Sequence, residues 1–538
     1  VAQDEAVRLQ RAFQRIDALA QRTMQDSGTP GMAVAITSRE GLLHIATYGY
    51  ANKDSREPVT PETLFGAGSI GKSFTAVALL ELRDSGKLDL QVPVSRYLPW
   101  FKVNATTAVT AHHLLTHTAG FPDMRMELMS TLYQAFWLTQ CPVPFEPGKQ
   151  YHYSSSGYDV LSVLIAARSG RSFAEAIRQG IFVPLEMNHS EPVFTTRIRP
   201  RLAVSYEPLY DDRPADTRSP LVTSNWYEYG GGAGSEAVTA GDLAAYLRTL
   251  LNRGAGTHGP VLSQESFRLL TQHAVSRGPN RYYGYGLEVT EEDGHVLIGH
   301  AGGVQGFRSM MLGDLDDGLG VVVLVNSPLP TSTVAQFALK AVEAACHQRP
   351  LPDLPAADEP STVPDASEFE GRFAARDGST LIFRARANRL EMLYQGQATV
   401  LERRGPDTFY CRHPDFSLFL LRFGREKGMV TEVSHGPRWY ANEQYAGLRV
   451  FEYPHDWEAY AGHYRTATRH HINFRIVLRK GTLFMVGAGG DENPLRPLDA
   501  ERFRVADFPE WLRFDTVVNG QALRVNYSGS DYHRDFTP

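Results

Sequence analysis

Apolar residues recur at helical spacing from Glu5 to Gln25, and the pattern predicts a first helix there. Two short runs follow, Gly31-Met32-Ala33-Val34-Ala35-Ile36 and Leu42-Leu43-His44-Ile45-Ala46, which read as strands turned through Glu40-Gly41. From Ser69 to about Asp84 the pattern is helical again, and Ser85-Gly86 ends it. The middle of the chain reads as helices and loops, with Ala240 to Leu251 as an example. Strand patterns return at Val296 to Gly299, Phe307 to Leu312 and Gly320 to Val325, the last two joined through the hairpin signal Asp316-Asp317-Gly318. A helix from about Ser332 to Ala345 closes the region. Helices and strands at both ends of one region, with local hairpins, predict an α+β domain built on an antiparallel sheet.

Beyond this point the pattern changes. Pro350, Pro352, Pro355, Pro360 and Pro364 crowd a short stretch with acids and small residues between them, which is a linker signature. An internal repeat follows. Phe369-Glu370-Gly371-Arg372-Phe373 matches Tyr460-Ala461-Gly462-His463-Tyr464, and Leu401 through Phe409 matches Leu495 through Phe503 at the same spacing. Short alternating strands with turns every 8–12 residues are what small all-β barrels require. The predicted organisation is a catalytic-sized domain over 1–349, a linker over 350–364, and two β-barrel domains over 365–449 and 450–538.

Composition narrows the partners. With 42% apolar and 21% charged residues and a net charge of −6, the chain reads as an ordinary globular protein. No block of Lys or Arg forms a basic stripe, which argues against nucleic acid and anionic membrane as partners. Runs such as Val321 to Val325 are too short to span a bilayer. Cys141, Cys346 and Cys411 are odd in number and widely spaced, so they form neither a disulfide framework nor a zinc pattern. The chain begins at Val1, and the expectation leans towards a periplasmic or secreted location over a cytoplasmic one. Self-association is left open.

The chemistry concentrates around Gly66-Ala67-Gly68-Ser69-Ile70-Gly71-Lys72-Ser73. Formally this matches the phosphate-cradling P-loop. A P-loop follows a buried parallel strand, however, and here only Leu64-Phe65 precedes the glycines, after Thr60-Pro61-Glu62-Thr63. The alternative is a nucleophilic serine with Lys72 at i+3, on the same helix face, as its base. A helix start at Ser69 would favour developing negative charge, and burial would lower the Lys72 pKa towards a usable base. Tyr153 offers a second titratable group for the leaving group. His300-Ala301-Gly302-Gly303, on an expected edge strand, offers an imidazole, small residues that let substrate pair with the strand, and the Gly303 amide for an oxyanion.

At Ser69-x-x-Lys72, Tyr153-x-Ser155 and His300-x-Gly302 the chain resembles the serine β-lactamase and penicillin-binding peptidase superfamily, specifically its class C-like branch. That branch includes D-alanyl-D-alanine carboxypeptidases, D-aminopeptidases and esterases. His113-Leu114-Leu115-Thr116-His117-Thr118-Ala119-Gly120, Pro147-Gly148 and Ser156-Gly157-Tyr158 are family-like spacers, and the resemblance covers roughly residues 5–346. It implies Ser69 as nucleophile, Lys72 and Tyr153 as proton carriers, and His300 as a residue that positions substrate or tunes Tyr153. It also implies an oxyanion site at the amides of Ser69 and Gly303, with Ser155 and Gly302 bordering the substrate. Two departures stand out: His-Ala-Gly where β-lactamases of this branch carry Lys-Thr-Gly, and Ser155 where an Asn is common. The three-domain layout, with two lipocalin-like barrels, is similar to that of D-aminopeptidases.

Each residue alone has a plainer reading: Ser69 as a helix cap, Tyr153 as a packing aromatic, His300 as strand filling. His113 and His117 have metal-ligand spacing on a helix, but no Glu follows His113 and no third ligand is evident, so structural roles are expected. His470-His471 reads as a solvent-facing strand feature, and Trp226, Tyr227, Tyr229, Tyr282 and Tyr283 as either pocket lining or packing. The expected enzyme is a serine peptidase or amidase without metal or cofactor, acting on short peptides, D-configured ones included. An esterase of small acyl esters, a non-catalytic β-lactam or peptidoglycan sensor, and an NTPase are the alternatives.

Overall fold

The computed structural model describes residues 2–123, 130–216, 219–357, 359–466 and 473–535. Two compact units make up the chain: residues 1–207 with 220–354, and residues 355–538 with the segment Pro208–Ser219.

The first unit is organised by a nine-stranded antiparallel sheet. Its strands in chain order are β1 (Gly31–Ser38), β2 (Leu42–Asn52), β3 (Glu57–Pro58), β4 (Val275–Gly278), β5 (Arg281–Tyr283), β6 (Glu288–Glu292), β7 (His295–Val304), β8 (Phe307–Asp314) and β9 (Leu319–Val325). Their order across the sheet is β4-β5-β6-β7-β8-β9-β1-β2-β3. Strands β1 and β9 pair centrally, Met32 opposite Val325 through Ser38 opposite Leu319, and every residue of both is buried. That explains why they read as continuous apolar runs: both sheet faces are covered. On one face, Met32, Val34, Ile36, Val321, Val323 and Val325 pack against helices α1 (Ala2–Ser27) and α7 (Ser332–Cys346). On the other, Ala33, Ala35, Val322 and Leu324 join the larger core. That core also holds α2 (Gly71–Asp84), α3 (Ala111–Leu115), α4 (Thr131–Leu138), α5 (Ser155–Ser169) and α6 (Ala240–Leu251). Each fully buried Val or Leu in this arrangement contributes about 1.5–3 kcal/mol.

The second unit contains two closed eight-stranded antiparallel barrels, with strands between Gly371 and Ala441 and between Gly462 and Arg534. The sequence repeat falls on matching places. Leu401 and Phe409 are buried on the fourth and fifth strands of the first barrel, and Leu495 and Phe503 on the fourth and fifth of the second. Ion pairs hold Pro208–Ser219 on the barrels: Asp211 to Arg465 at 2.9 Å, Asp212 to Arg475 at 3.1 Å and Asp216 to Arg412 at 2.9 Å. Nothing in the periodicity of 208–219 distinguishes that segment from its surroundings. Among the described residues, no helix is long and apolar enough to cross a membrane. Among the described residues, none of the three cysteines is in a disulfide.

Candidate active site

The helix expected from Ser69 begins two residues later. Gly68–Ile70 forms a 3₁₀ turn, and the α-helix α2 starts at Gly71. Gly68 adopts φ +54°, a conformation that glycine reaches without strain. The turn is gripped from two sides. The Ala67 N–H donates to the Glu236 carbonyl at 2.9 Å, and the Ser309 hydroxyl of β8 donates to the Ala67 carbonyl at 2.6 Å. Glycines allow the contact: a Cβ on Gly302 of β7 would lie 1.9 Å from the Ala67 oxygen, and one on Gly68 would lie 2.3 Å from the Gly303 nitrogen. The Gly303 amide thus lies against the residue before Ser69.

Lys72 is fully buried, and its Nζ sits 3.1 Å from Ser69 Oγ, 3.4 Å from Ser155 Oγ and 2.9 Å from the Ala233 carbonyl. Burial lowers its pKa to about 8, while the charges of Asp123, Asp159 and Glu236 oppose a further fall. The Ser155 N–H, in the first turn of α5, donates to Asp123 at 2.7 Å. Tyr153 is just upstream: its hydroxyl bonds Ser69, and its ring lies 4.8 Å from Lys72 Nζ and 4.3 Å from the His117 ring. Burial raises the Tyr153 pKa above the ordinary phenol value, so it is a protonated donor at neutral pH.

His300 projects from β7, which is an interior strand rather than the expected edge. Its pairing with β6 nevertheless ends at Gly299, while pairing with β8 continues to Val304. The stretch from His300 to Val304 therefore has a local free edge within the sheet. His300 is buried, and burial followed by the Lys72 charge lowers its pKa to about 4, so it is neutral. Its Nδ1 lies 2.6 Å from the Ala301 carbonyl, which fixes the proton on Nδ1 and leaves Nε2 as an acceptor 3.2 Å from the Tyr283 hydroxyl. The same Tyr283 oxygen is 3.2 Å from His117 Nε2, and His117 Nδ1 accepts the Ser154 N–H at 3.1 Å. The bonds run in one direction: His117 donates to Tyr283, Tyr283 to His300, and His300 to Ala301.

Ser69, Lys72, Tyr153, Ser155 and His300 are thereby brought together, with Gly302 and Gly303 against the Gly68–Ile70 turn. His117 was expected in a structural role, on a helix with His113. It lies past the end of α3, at φ +57°, and its ring is part of the site. His113 instead completes a capping box with Thr110, so the two do not form a ligand pair. Of the aromatics named from the sequence, Tyr283 is in the site, Tyr229 bonds Asp159, Trp226 stacks on Phe194 and Tyr282 on His273. His470-His471 lies outside the described residues. Sequence reading missed Asp123, Asp159 and Glu236; the available signal was the glycine-rich run Gly230-Gly231-Gly232-Ala233-Gly234, which lets one strand of chain pass behind Lys72.

A family profile described as Beta-lactamase matches residues 16–345. Penicillin-binding protein 4* of Bacillus subtilis (strain 168) is 27% identical over 385 residues, covering 66% of this chain and 82% of that protein. A D-aminopeptidase of Gluconobacter oxydans (strain 621H) is 30% identical over 312 residues, covering 55% of this chain and 56% of the relative. Among solved structures, an octameric penicillin-binding protein homologue from Pyrococcus abyssi shares the fold at TM-score 0.58 and 24% identity, covering 80% of this chain and 100% of that one. A penicillin-binding protein from Bacillus halodurans matches at TM-score 0.51 and 26% identity, over 61% of this chain and 98% of that one.

Proposed function

Because the chain belongs to the beta-lactamase family, whose members are serine hydrolases, we propose that it cleaves an amide or ester through an acyl-enzyme at Ser69. The observation that carries this reading is the 3.1 Å contact between Lys72 Nζ and Ser69 Oγ in a buried pocket. Neutral Lys72 takes the serine proton as Oγ bonds the carbonyl carbon. The amides of Ser69 and Gly303 receive the oxyanion. The Tyr153 hydroxyl, bonded to Ser69, passes a proton to the departing nitrogen or oxygen as the bond to carbon breaks. The Lys72 ammonium then returns a proton to Tyr153, and neutral Lys72 takes a proton from the water that attacks the acyl carbon and gives it to Ser69 Oγ as the acyl bond breaks and the acid leaves.

The proposed substrates are short peptides or amides, D-configured ones included. The D-aminopeptidase relative supports this class, and so does the third motif. A neutral His300 places no positive charge where β-lactamases of this branch carry lysine. The free edge at 301–304 suits an extended substrate that pairs with backbone. A hydrolysis panel over D- and L-aminoacyl amides, small acyl esters and a chromogenic cephalosporin tests the proposal. Turnover of aminoacyl amides above esters supports it, preference for esters makes the chain an esterase, and acylation without turnover makes it a sensor.

A further inference from the structure

Two carboxyl groups lie behind the nucleophile and take no part in the acyl-transfer steps above. Asp159 on α5 and Glu236 after the glycine-rich run are both 0% exposed. Among the described residues, neither Asp159 Oδ2 nor either Glu236 carboxyl oxygen has a hydrogen-bond partner. Leaving buried oxygens unpaired costs about 1–3 kcal/mol each, so their position needs a reason.

The geometry ties both to Lys72. The Ala233 carbonyl accepts from Lys72 Nζ at 2.9 Å, and Gly231, two residues earlier, lies against the Asp159 carboxyl, where an added Cβ would meet Oδ1 at 2.4 Å. The glycine-rich run thus borders both the amine and the carboxyl. The Tyr229 hydroxyl donates to the Asp159 Oδ1 at 3.4 Å. Glu236 approaches from the other side, where Gly71 adjoins Lys72; a Cβ on Gly71 would meet Glu236 Oε2 at 1.9 Å. The remaining polar groups around the amine are Ser69, Tyr153, Tyr158 and Ser155, with Asp123 on the preceding loop. Neutral His117 and His300 complete its surroundings.

We propose that Asp159 and Glu236 are positioning residues for Lys72, a buried carboxyl pair that, as it ionises, keeps the amine basic enough to take the Ser69 proton. The inference rests on the reading of Ser69 as nucleophile. A lysine buried without compensating charge can fall to a pKa of roughly 5–6, too weak a base to hold the serine proton. Here it falls only to about 8. Burial raises Asp159 to about 7 and Glu236 to about 8, so all three groups titrate in one range and exchange protons as a set.

The test is the pH dependence of Ser69 labelling by a fluorophosphonate on the full chain. The Ser69 oxygen–phosphorus bond forms, fluoride leaves and the serine proton passes to Lys72, so no substrate need be known. The wild-type rate is expected to fall on an acid limb near pH 8. In Asp159→Asn and in Glu236→Gln, which keep size and shape, that limb should move to lower pH by about one unit, because a carboxylate that raised the Lys72 pKa is gone. A limb that stays in place in both variants, even at a reduced rate, overturns the proposal and leaves the pair a packing role. Should neither variant fold, the wild-type limb decides: below about pH 6 it shows burial acting alone and refutes the proposal, and near 8 it supports it. Absence of wild-type labelling at Ser69 is a different failure, that of the nucleophile reading itself.

Discussion

Gly302→Ala tests whether β7 positions Ser69, the proposed nucleophile. The added methyl would sit 1.9 Å from the Ala67 carbonyl oxygen and 2.2 Å from Ser309 Oγ, which itself donates to that oxygen. Contacts to a real Cβ essentially never fall below 3.0 Å, so the two segments must separate by more than 1 Å. Neither side yields easily, because the Ala67 oxygen is backbone two residues before Ser69 and Gly302 is paired with Ser309 in the sheet. Overpacking of this kind costs about 1–3 kcal/mol of stability. A displacement of about 1 Å at a reacting group costs on the order of 10²-fold in rate. Gly303→Ala is the internal control: its methyl would meet first the Arg308 side chain at 3.1 Å, which can swing away. Denaturant unfolding and fluorophosphonate labelling of both variants provide the assay. Gly302→Ala should lose roughly a hundredfold in labelling rate while Gly303→Ala keeps near-wild-type stability. A Gly302→Ala protein with wild-type stability and a labelling rate within threefold of wild type would refute the claim that β7 pins the turn.

Lys72→Ala and Tyr153→Phe should each lower kcat by ~10²–10⁴, measured on the best substrate of the hydrolysis panel, with Tyr153→Phe leaving the fold intact. Chelators should leave hydrolysis unchanged, since the imidazole nitrogens of His117 and His300 are engaged in hydrogen bonds; inhibition that added zinc reverses would contradict this. Asp159 and Glu236 keep their protons to about pH 7 and 8 in the folded state, against 3.8 and 4.5 ordinarily, so the folded state binds more protons. That contribution to stability is fully present below about pH 4 and lost as pH rises to about 8, by on the order of a few kcal/mol, and Glu236→Gln should flatten the fall in a denaturant series. Truncation after residue 349 removes Arg412, Arg465 and Arg475 from Asp216, Asp211 and Asp212, so limited proteolysis should then cut within 208–219, a segment protected in the full chain.

Much of this architecture is legible in the chain because it rests on local pattern. The continuous apolar runs of β1 and β9 announce a strand buried on both faces, and the barrel repeat marks positions that both barrels fill with Leu and Phe. The motif residues Ser69, Lys72, Tyr153 and His300 are legible because their types and order are chemical. What stays hidden depends on three-dimensional approach. His117 looks like one more helix residue until a left-handed turn swings it under Tyr153. The expected edge strand proves interior, because three further strands, β4, β5 and β6, extend the sheet beyond β7 through pairings that short alternating segments do not advertise. Asp159 and Glu236 sit 77 residues apart in sequence, and their meeting behind Lys72 follows from helix packing and a glycine-rich run rather than from any spacing. The attachment of 208–219 to the barrels is likewise set by ion pairs between segments about 200 or more residues apart.

The central claim is that Ser69 forms the covalent bond. Intact-mass measurement after fluorophosphonate treatment, followed by peptide mapping, tests it most directly on the wild-type chain and Ser69→Ala. The account predicts a single adduct on wild type, mapped to the peptide containing Ser69, and none on Ser69→Ala, which should otherwise unfold like wild type. An adduct of the same stoichiometry on Ser69→Ala, or mapping to another serine in wild type, would contradict it.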